Sequence, residues 1–370
     1  MRVPQWRAQA CEYTGVSGLP RRLVAASLGL LSAAPLAAAP STAAEAHWFS
    51  VGGGLLRAAI PPVITAGVVM TGDTRRANLT APQRIDLAGA GLAYRYAGRS
   101  GLPRWLDRAA RTSRMSYRID WSRFSGDASD AAEQPAGAAE VGLVPTKFGA
   151  PPAPNGFFPG PAGLASRSRI DVDTGRLRVG VRWRQQTDWL PEHASLWPGA
   201  RLGWTQLDYY HSSRDRFLDA ALPPVEFSAA RDQRLQHDIF DLTVGGRLEY
   251  AVGSERNISV FAELAASVYF LKATLVSYEF FTVNGARQRR FTGGGVREFS
   301  PGGELSLGAV WRPGAGWELQ AALQHQPWVP TGRINNPLAG GADGRPTFLG
   351  TAAQAQTLGL LTLSYRFGGR

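Results

Sequence analysis

The stretch Arg176-Leu177-Arg178-Val179-Gly180-Val181-Arg182-Trp183-Arg184 alternates cationic or small residues with apolar ones at every step. In an extended chain successive side chains point to opposite faces. One face therefore carries Leu177, Val179, Val181 and Trp183, and the other carries Arg176, Arg178, Arg182 and Arg184. A greasy face backed by a guanidinium face suits a strand that stands between lipid and a polar lumen. The same period recurs outward in both directions. Met115, Tyr117, Ile119 and Trp121 interleave with Arg114, Ser116, Arg118 and Asp120. Phe240, Leu242, Val244, Leu248 and Tyr250 follow, then Ile258, Val260, Ala262, Leu264, Val268 and Phe270. Leu305, Leu307, Ala309 and Trp311 precede Trp317, Leu319, Ala321 and Leu323, and the series ends on Leu361, Leu363, Tyr365 and Phe367.

Ten such segments are predicted, roughly 47–57, 85–97, 113–124, 174–186, 199–211, 236–252, 256–272, 302–312, 316–326 and 355–367. The piece from Val63 to Met70 either lengthens the wall or joins a loop, which keeps eight and twelve strands as alternatives. The fold class is thus all-β, a single antiparallel transmembrane β-barrel. A soluble sandwich with its apolar face turned to a core is the competing reading, and the rhythm of the connections argues against it. Val252 to Arg256 and Pro313 to Gly316 are tight, whereas long external loops are expected near 125–173, 212–233, 273–296 and 327–353. Short periplasmic turns alternating with long outer loops are an outer-membrane pattern.

The N-terminus agrees with export. Arg21-Arg22 precede an apolar run from Leu23 to Pro40, and Ser41-Thr42-Ala43 offers small residues for cleavage. Residues 1–43 are predicted to be a cleaved signal peptide, with a second acceptable cut at Ala46, and residues 44–370 to form the barrel. Pro35 and Pro40 interrupt the run, which lacks the roughly 20 unbroken apolar residues of a spanning helix. The lone cysteine, Cys11, precedes that run, so neither disulfides nor a lipid-bearing cysteine is expected in the exported part.

The formal charge is +11, of which the four Arg and Glu12 of residues 1–43 contribute three, leaving +8. Lys147 and Lys272 are the only lysines, so the excess is arginine. Lipopolysaccharide phosphates and anionic solutes fit this compartment as partners better than nucleic acid, and none of the last is expected. Parity places Arg114, Arg118, Arg176, Arg178, Arg182 and Arg184 in the lumen together with Glu249, Glu263, Glu304 and Glu318. A ten-stranded barrel is narrow. Those charges then form either a packed, mutually neutralising interior or a small channel that prefers anions. Arg287, Arg289 and Arg290, three cations within four residues, are the candidate contact to lipopolysaccharide phosphate. No phosphate-binding glycine loop and no Cys or His metal constellation is found, so no cofactor and no metal are expected.

The closing segment Leu361-Thr362-Leu363-Ser364-Tyr365-Arg366-Phe367 resembles the last strand of Gram-negative outer-membrane proteins. That resemblance implies a bacterial outer-membrane location and recognition of Leu361, Leu363, Tyr365 and Phe367 by the barrel-insertion machinery. Here Gly368-Gly369-Arg370 follows the terminal aromatic.

The expected role is passive: a small-solute, anion-preferring channel or a structural surface protein. Two alternatives stay open. His211-Ser212-Ser213 resembles the His-x-Ser pair of outer-membrane phospholipase A and lipid A deacylases, which implies lipid hydrolysis by His211 and Ser213. Arg214 stands where the deacylases carry Asn, and Glu226 is the carboxylate within reach in sequence. The omptin proteases share the strand count, but Asp208 and His211, three residues apart, fall on opposite faces of an extended strand. The second alternative is adhesion or partner binding through the loops, above all the proline-rich segment from Ser125 to Asp173. Oligomeric state is not legible in the sequence.

Overall fold

The computed structural model describes residues 46–59, 64–70, 73–80, 84–98, 112–142, 157–185, 189–219, 225–253, 255–283, 285–334 and 349–367. The predicted signal peptide lies outside the described residues. Twelve strands follow in chain order: β1 Ala46–Ala59, β2 Ile64–Met70, β3 Asp73–Thr80, β4 Arg84–Gly98, β5 Thr112–Gly142 and β6 Phe157–Gln185, then β7 Ala194–Asp219, β8 Val225–Val252, β9 Ile258–Val283, β10 Ala286–Gly314, β11 Trp317–Ile334 and β12 Leu349–Phe367.

Ten of these close an antiparallel barrel. β1 pairs with β12 and β4, β5 joins β4 to β6, and each strand from β6 to β12 pairs with the next. Of the segment Val63 to Met70, Val63 lies outside the described residues and Ile64–Met70 form β2, which pairs with β3 and with the far end of β5, Gly67 opposite Gly142. It extends the wall locally without adding a strand to the closed ring.

His47 sits opposite Phe367, so the first and last strands meet at one end of the barrel. The tight connections from β8 to β9 and from β10 to β11 lie at that same end, with Ala315 at φ 51° and Gly316 at φ 84° in the second. This end is the periplasmic one by the usual orientation of outer-membrane barrels.

The outer halves of the strands depart from the sequence reading. The described residues of the segments expected as loops near 125–173, 212–233, 273–296 and 327–353 are almost all paired strand. β5 and β6 pair from Arg114 opposite Arg184 up to Gly142 opposite Phe157, with register shifts between Gln134 and Glu140, and β7 and β8 pair as far as Asp219 opposite Val225. β9 and β10 run unbroken to Val283 opposite Ala286, with Gly285 at φ 82° just before Ala286. Left-handed backbone of that kind suits glycine, and Asn-Gly is the preferred pair for tight hairpin turns. β5 is 31 residues long, whereas about 9–11 residues cross a bilayer. Beyond the lipid no apolar outer face is required, so the period-two signal fades while the backbone ladder continues. Sequences such as Ser166-Arg167-Ser168-Arg169 therefore read as loop and fold as strand. Of the proline-rich segment, Phe157, Phe158, Pro159 and Pro161 belong to β6, and residues 143–156 lie outside the described residues.

The outward face is apolar over the height of a membrane. On β8 it runs from Phe240 through Leu242, Val244 and Leu248 to Tyr250, and on β9 from Ile258 through Val260, Leu264 and Val268 to Phe270. Phe49, Val51 and Leu55 on β1, Leu305, Leu307 and Trp311 on β10, and Leu361, Leu363, Tyr365 and Phe367 on β12 continue the belt. Aromatics rim its periplasmic edge: Trp317 packs on Tyr365 at 4.8 Å, and the His47 ring stacks on Phe367 at 5.6 Å. Above the belt the outward face is charged. Arg57 opposes Asp86 at 2.7 Å, Arg214 meets Asp232 at 3.0 Å, and Arg123 pairs with Asp173.

Candidate functional site: the barrel interior

The inward residues of each strand change character along the barrel axis. On β8 they read, from the outer end, Gln233, Leu235, His237, Ile239, Asp241, Thr243, Gly245, Arg247 and Glu249. On β9 they read Ser277, Leu275, Ala273, Leu271, Tyr269, Ser267, Ala265, Glu263, Phe261 and Ser259. Stacked around the ring, these sequences produce a polar lower story, an apolar middle and a small polar network above.

The lower story holds a cavity of about 620 Å³ that reaches the periplasmic turn at Gly314 and Gly316. Nine arginines line it against five carboxylates among the described residues. Each carboxylate is held by a partner on the wall. Arg182 on β6 reaches Glu263 on β9 at 2.5 Å, and Arg201 on β7 reaches Glu304 on β10 at 2.6 Å. Arg95 on β4 lies 3.4 Å from Glu318 on β11. Arg312 bridges Glu318 at 3.3 Å and Glu249 at 2.8 Å, Arg247 meets Glu249 at 3.2 Å, and Arg118 meets Asp120 at 3.5 Å. Asp241, just above, stands 4.0 Å from Arg201. Three of these pairs join strands three places apart in the ring, so the ionic lattice braces the wall as well as neutralising it. Two arginines also use ring faces: Arg95 stands 4.1 Å from the centre of Trp48 and Arg247 3.6 Å from that of Phe261.

Arg176 and Arg178 differ from the rest. Two residues apart on β6, they share the inward face directly beneath the apolar story. Arg176 donates to the Gln356 side-chain carbonyl at 2.6 Å and Arg178 to that of Gln324 at 3.5 Å. Neither comes within ion-pair distance of a carboxylate among the described residues; the buried Nε of each, like those of Arg118, Arg201 and Arg247, has no hydrogen-bond partner.

The middle story is apolar and is the hydrophobic core of the molecule. Leu56, Leu87, Phe124, Ile170, Leu207, Tyr209, Ile239, Leu271 and Leu358 come from eight strands and meet inside the barrel. It is sealed by the outer end of β11. Below it, β11 pairs with β10 up to His325 opposite Leu305; a register shift follows between Gln326 and Val329. Pro327 and Pro330 have no N–H to offer a neighbouring strand. Past the shift, Val329 and Thr331 are buried and the chain leans across to the inner face of β8. There the Gly332 N–H donates to Nε2 of His237 at 2.7 Å, while Nδ1 of His237 lies 3.2 Å from the Leu207 carbonyl. Those partners define the tautomer: Nε2 accepts and Nδ1 carries the proton, so this fully buried imidazole is neutral. Gly332 is needed for the approach, because a Cβ there would lie 2.9 Å from that of Ala273 and 3.1 Å from His237 Nε2.

Of the residues singled out in the sequence, Arg118, Arg176, Arg178, Arg182, Glu249, Glu263, Glu304 and Glu318 line the cavity. Arg184 is exposed at the rim, and the side chain of Arg114 lies outside the described residues. Leu361, Leu363, Tyr365 and Phe367 form one outward row on β12. Arg287 and Arg289 face outward near the β9–β10 tip, 5.1 Å and 5.8 Å from the Phe280 ring. Ten residues, about 33 Å of strand, separate Arg289 from outward Phe299 on β10. The side chain of Arg290 lies outside the described residues. His211 points inward, is 2% exposed, and has Nδ1 3.3 Å from Gln233 Oε1. This orientation turns it away from any lipid substrate at the outer surface, and the side chains of Ser213 and Glu226 lie outside the described residues.

Sequence reasoning did not single out Arg95, Arg201, Asp120, Trp48 and His237. The same parity rule reaches the first four; it already set Asp120 on the polar face of its strand, and it reaches Arg95 and Arg201 as lone charges on theirs. His237 had no such signal, since its role depends on the path taken by β11.

No protein-family model matches this chain, and no curated protein sequence matches it. Solved structures are similar in fold. The outer membrane protease OmpT from Escherichia coli aligns over 88% of this chain and 97% of its own, at 8% identity and a TM-score of 0.33. A major outer membrane protein from Thermus thermophilus aligns over 86% and 99%, at 13% identity and a TM-score of 0.29. The toluene transporter TodX of P. putida aligns over 90% and 92%, at 9% identity and a TM-score of 0.24. A closed barrel with an apolar belt outside requires a lipid bilayer. The chain is a closed antiparallel β-barrel of the membrane-spanning kind.

Proposed function

We propose that this barrel has a passive, anion-preferring role: small anions enter the arginine-lined cavity from the periplasmic end, and the apolar story beneath the leaning end of β11 closes the onward path. The observation that carries the reading is the surplus of guanidinium over carboxylate in a cavity that reaches the periplasmic turn. Charged rings in narrow pores select by sign, and the low dielectric of the wall strengthens that selection. An apolar constriction gates by excluding water, so this conformation is the shut one and conduction requires the β11 end to withdraw from His237. The test is planar-bilayer conductance of the refolded barrel under a salt gradient. Brief, small steps with anion preference are expected, and Arg178→Gln with Arg182→Gln should shift that preference toward cations because Glu263 loses its partner. Equal selectivity in the two proteins overturns the reading.

A further inference from the structure

We infer that Arg176 and Arg178 form a binding site for an oxyanion of phosphate type, one carrying two negative charges on several oxygens. The inference rests on the proposed entry of anions into the cavity and names the chemistry of the solute that pauses there.

The argument begins with cost. A buried ion without a counter-charge is among the most unfavourable features a protein interior can hold. Arg176 is only 4% exposed. Its neighbour Arg178 lies about 7 Å away along the same strand face, so two like charges are held side by side. Every other acid in the story is committed elsewhere. Glu304, whose charge acts on both arginines, is already held by Arg201 at 2.6 Å and by the Gln326 amide at 3.1 Å. What the two guanidiniums possess instead are amide carbonyls, on Gln356 and Gln324. These are neutral partners that leave the positive charge standing.

The site is also shaped for an occupant. Arg176 and Arg178 both line the cavity of about 620 Å³, far more room than one phosphate needs. The Nε of each is enclosed and has no hydrogen-bond partner, so each fork has a donor that a small turn of the side chain presents to an incoming oxygen. Guanidinium forks match the spacing of oxygens on phosphate and carboxylate groups. A monovalent ion such as chloride would offset one charge and accept no paired hydrogen bonds. Gln356 and Gln324 complete the cradle, since an amide that now accepts from arginine turns its NH₂ toward an anion by rotating about its last side-chain bond. Thr174, inward and buried one step above Arg176, has a hydroxyl without a partner. It supplies a further donor at the ceiling of the site. Above Thr174 the interior becomes apolar with Val172 and Ile170, so an anion that reaches this level meets the barrier and stops.

The experiment is calorimetric titration of the refolded full-length barrel in micelles with inorganic phosphate, in a chloride background, alongside Arg176→Gln with Arg178→Gln. The wild type should bind phosphate at about one site per barrel, unchanged by doubling the chloride beyond general screening. The double variant should bind at least about tenfold more weakly, the effect expected from losing hydrogen bonds to a charged group. Heat-modifiable migration checks that it folds. Should it fail to fold, Arg176→Lys keeps the charge but removes the fork, and the same weakening is expected. Absence of phosphate binding by the wild type, or equal affinity in the folded variants, overturns the assignment. Phosphate binding in a barrel that never conducts would uphold the site and remove the permeation reading. Anion-selective conductance without phosphate binding would do the opposite.

Discussion

The lower and middle stories of this lumen are built from the same strands, on the same inward face, yet they solve opposite problems. In the lower one, Arg182 and Glu263 or Arg201 and Glu304 meet across the barrel and leave a cavity between them. In the middle one, Leu207, Ile239, Leu271 and Phe124 pack together as an apolar core. The contrast teaches that alternation decides which residues face inward without deciding what an interior is for. A polar interior stays hydrated and selective, while an apolar one seals.

The largest effect expected from perturbing this contrast is at Glu304. Glu304→Ala leaves buried Arg201 with only Asp241 at 4.0 Å for a counter-charge, and loss of one member of a buried pair costs about 3–5 kcal/mol. Denaturant unfolding in micelles should show that loss, and adding Arg201→Met should recover most of it. If the double variant is no more stable than Glu304→Ala, the lattice does not work by pairing. A somewhat smaller effect belongs to the apolar story. Leu271→Ala, at a side chain with no exposure, should cost about 2–5 kcal/mol and also raise single-channel conductance, because the cavity it leaves lies in the seal. A destabilised barrel of unchanged conductance would mean that the seal lies elsewhere. The smallest effect is outside. Arg123→Ala breaks an exposed pair with Asp173 and should change stability by no more than about 1 kcal/mol, a difference that salt should erase. A larger loss there would show that the charged outer wall carries stability of its own.

Much of the architecture was legible because lipid imposes a strict rule. Leu177, Val179, Phe240, Leu242, Leu363 and Tyr365 must face hydrocarbon, and period-two spacing reveals them wherever the bilayer reaches. The outer halves of β5 to β10 escaped the same reading because water on both sides asks for no alternation. Even so, Asn284-Gly285 between Val283 and Ala286 was a hairpin signal in plain sight. The interior seal escaped for a different reason. Leu271, Leu275 and Tyr269 lie beside outward Phe270 and Val268, so both faces of β9 are apolar there and alternation vanishes where the core is densest. His237 escaped because its partner, Gly332, stands 95 residues away.

The sequence by itself therefore determined the barrel class, the ten wall strands, the lipid-facing residues and the guanidiniums on the inward face of β6, since each follows from local alternation in a chain that must satisfy its backbone within a bilayer. Only the tertiary structure decided which arginines are neutralised, where the lumen is sealed and that the end of β11 leans inward onto His237. Those outcomes depend on contacts across the ring between strands remote in sequence, such as Arg95 with Glu318 and Gly332 with His237, and no local pattern encodes which residues meet when a sheet closes on itself.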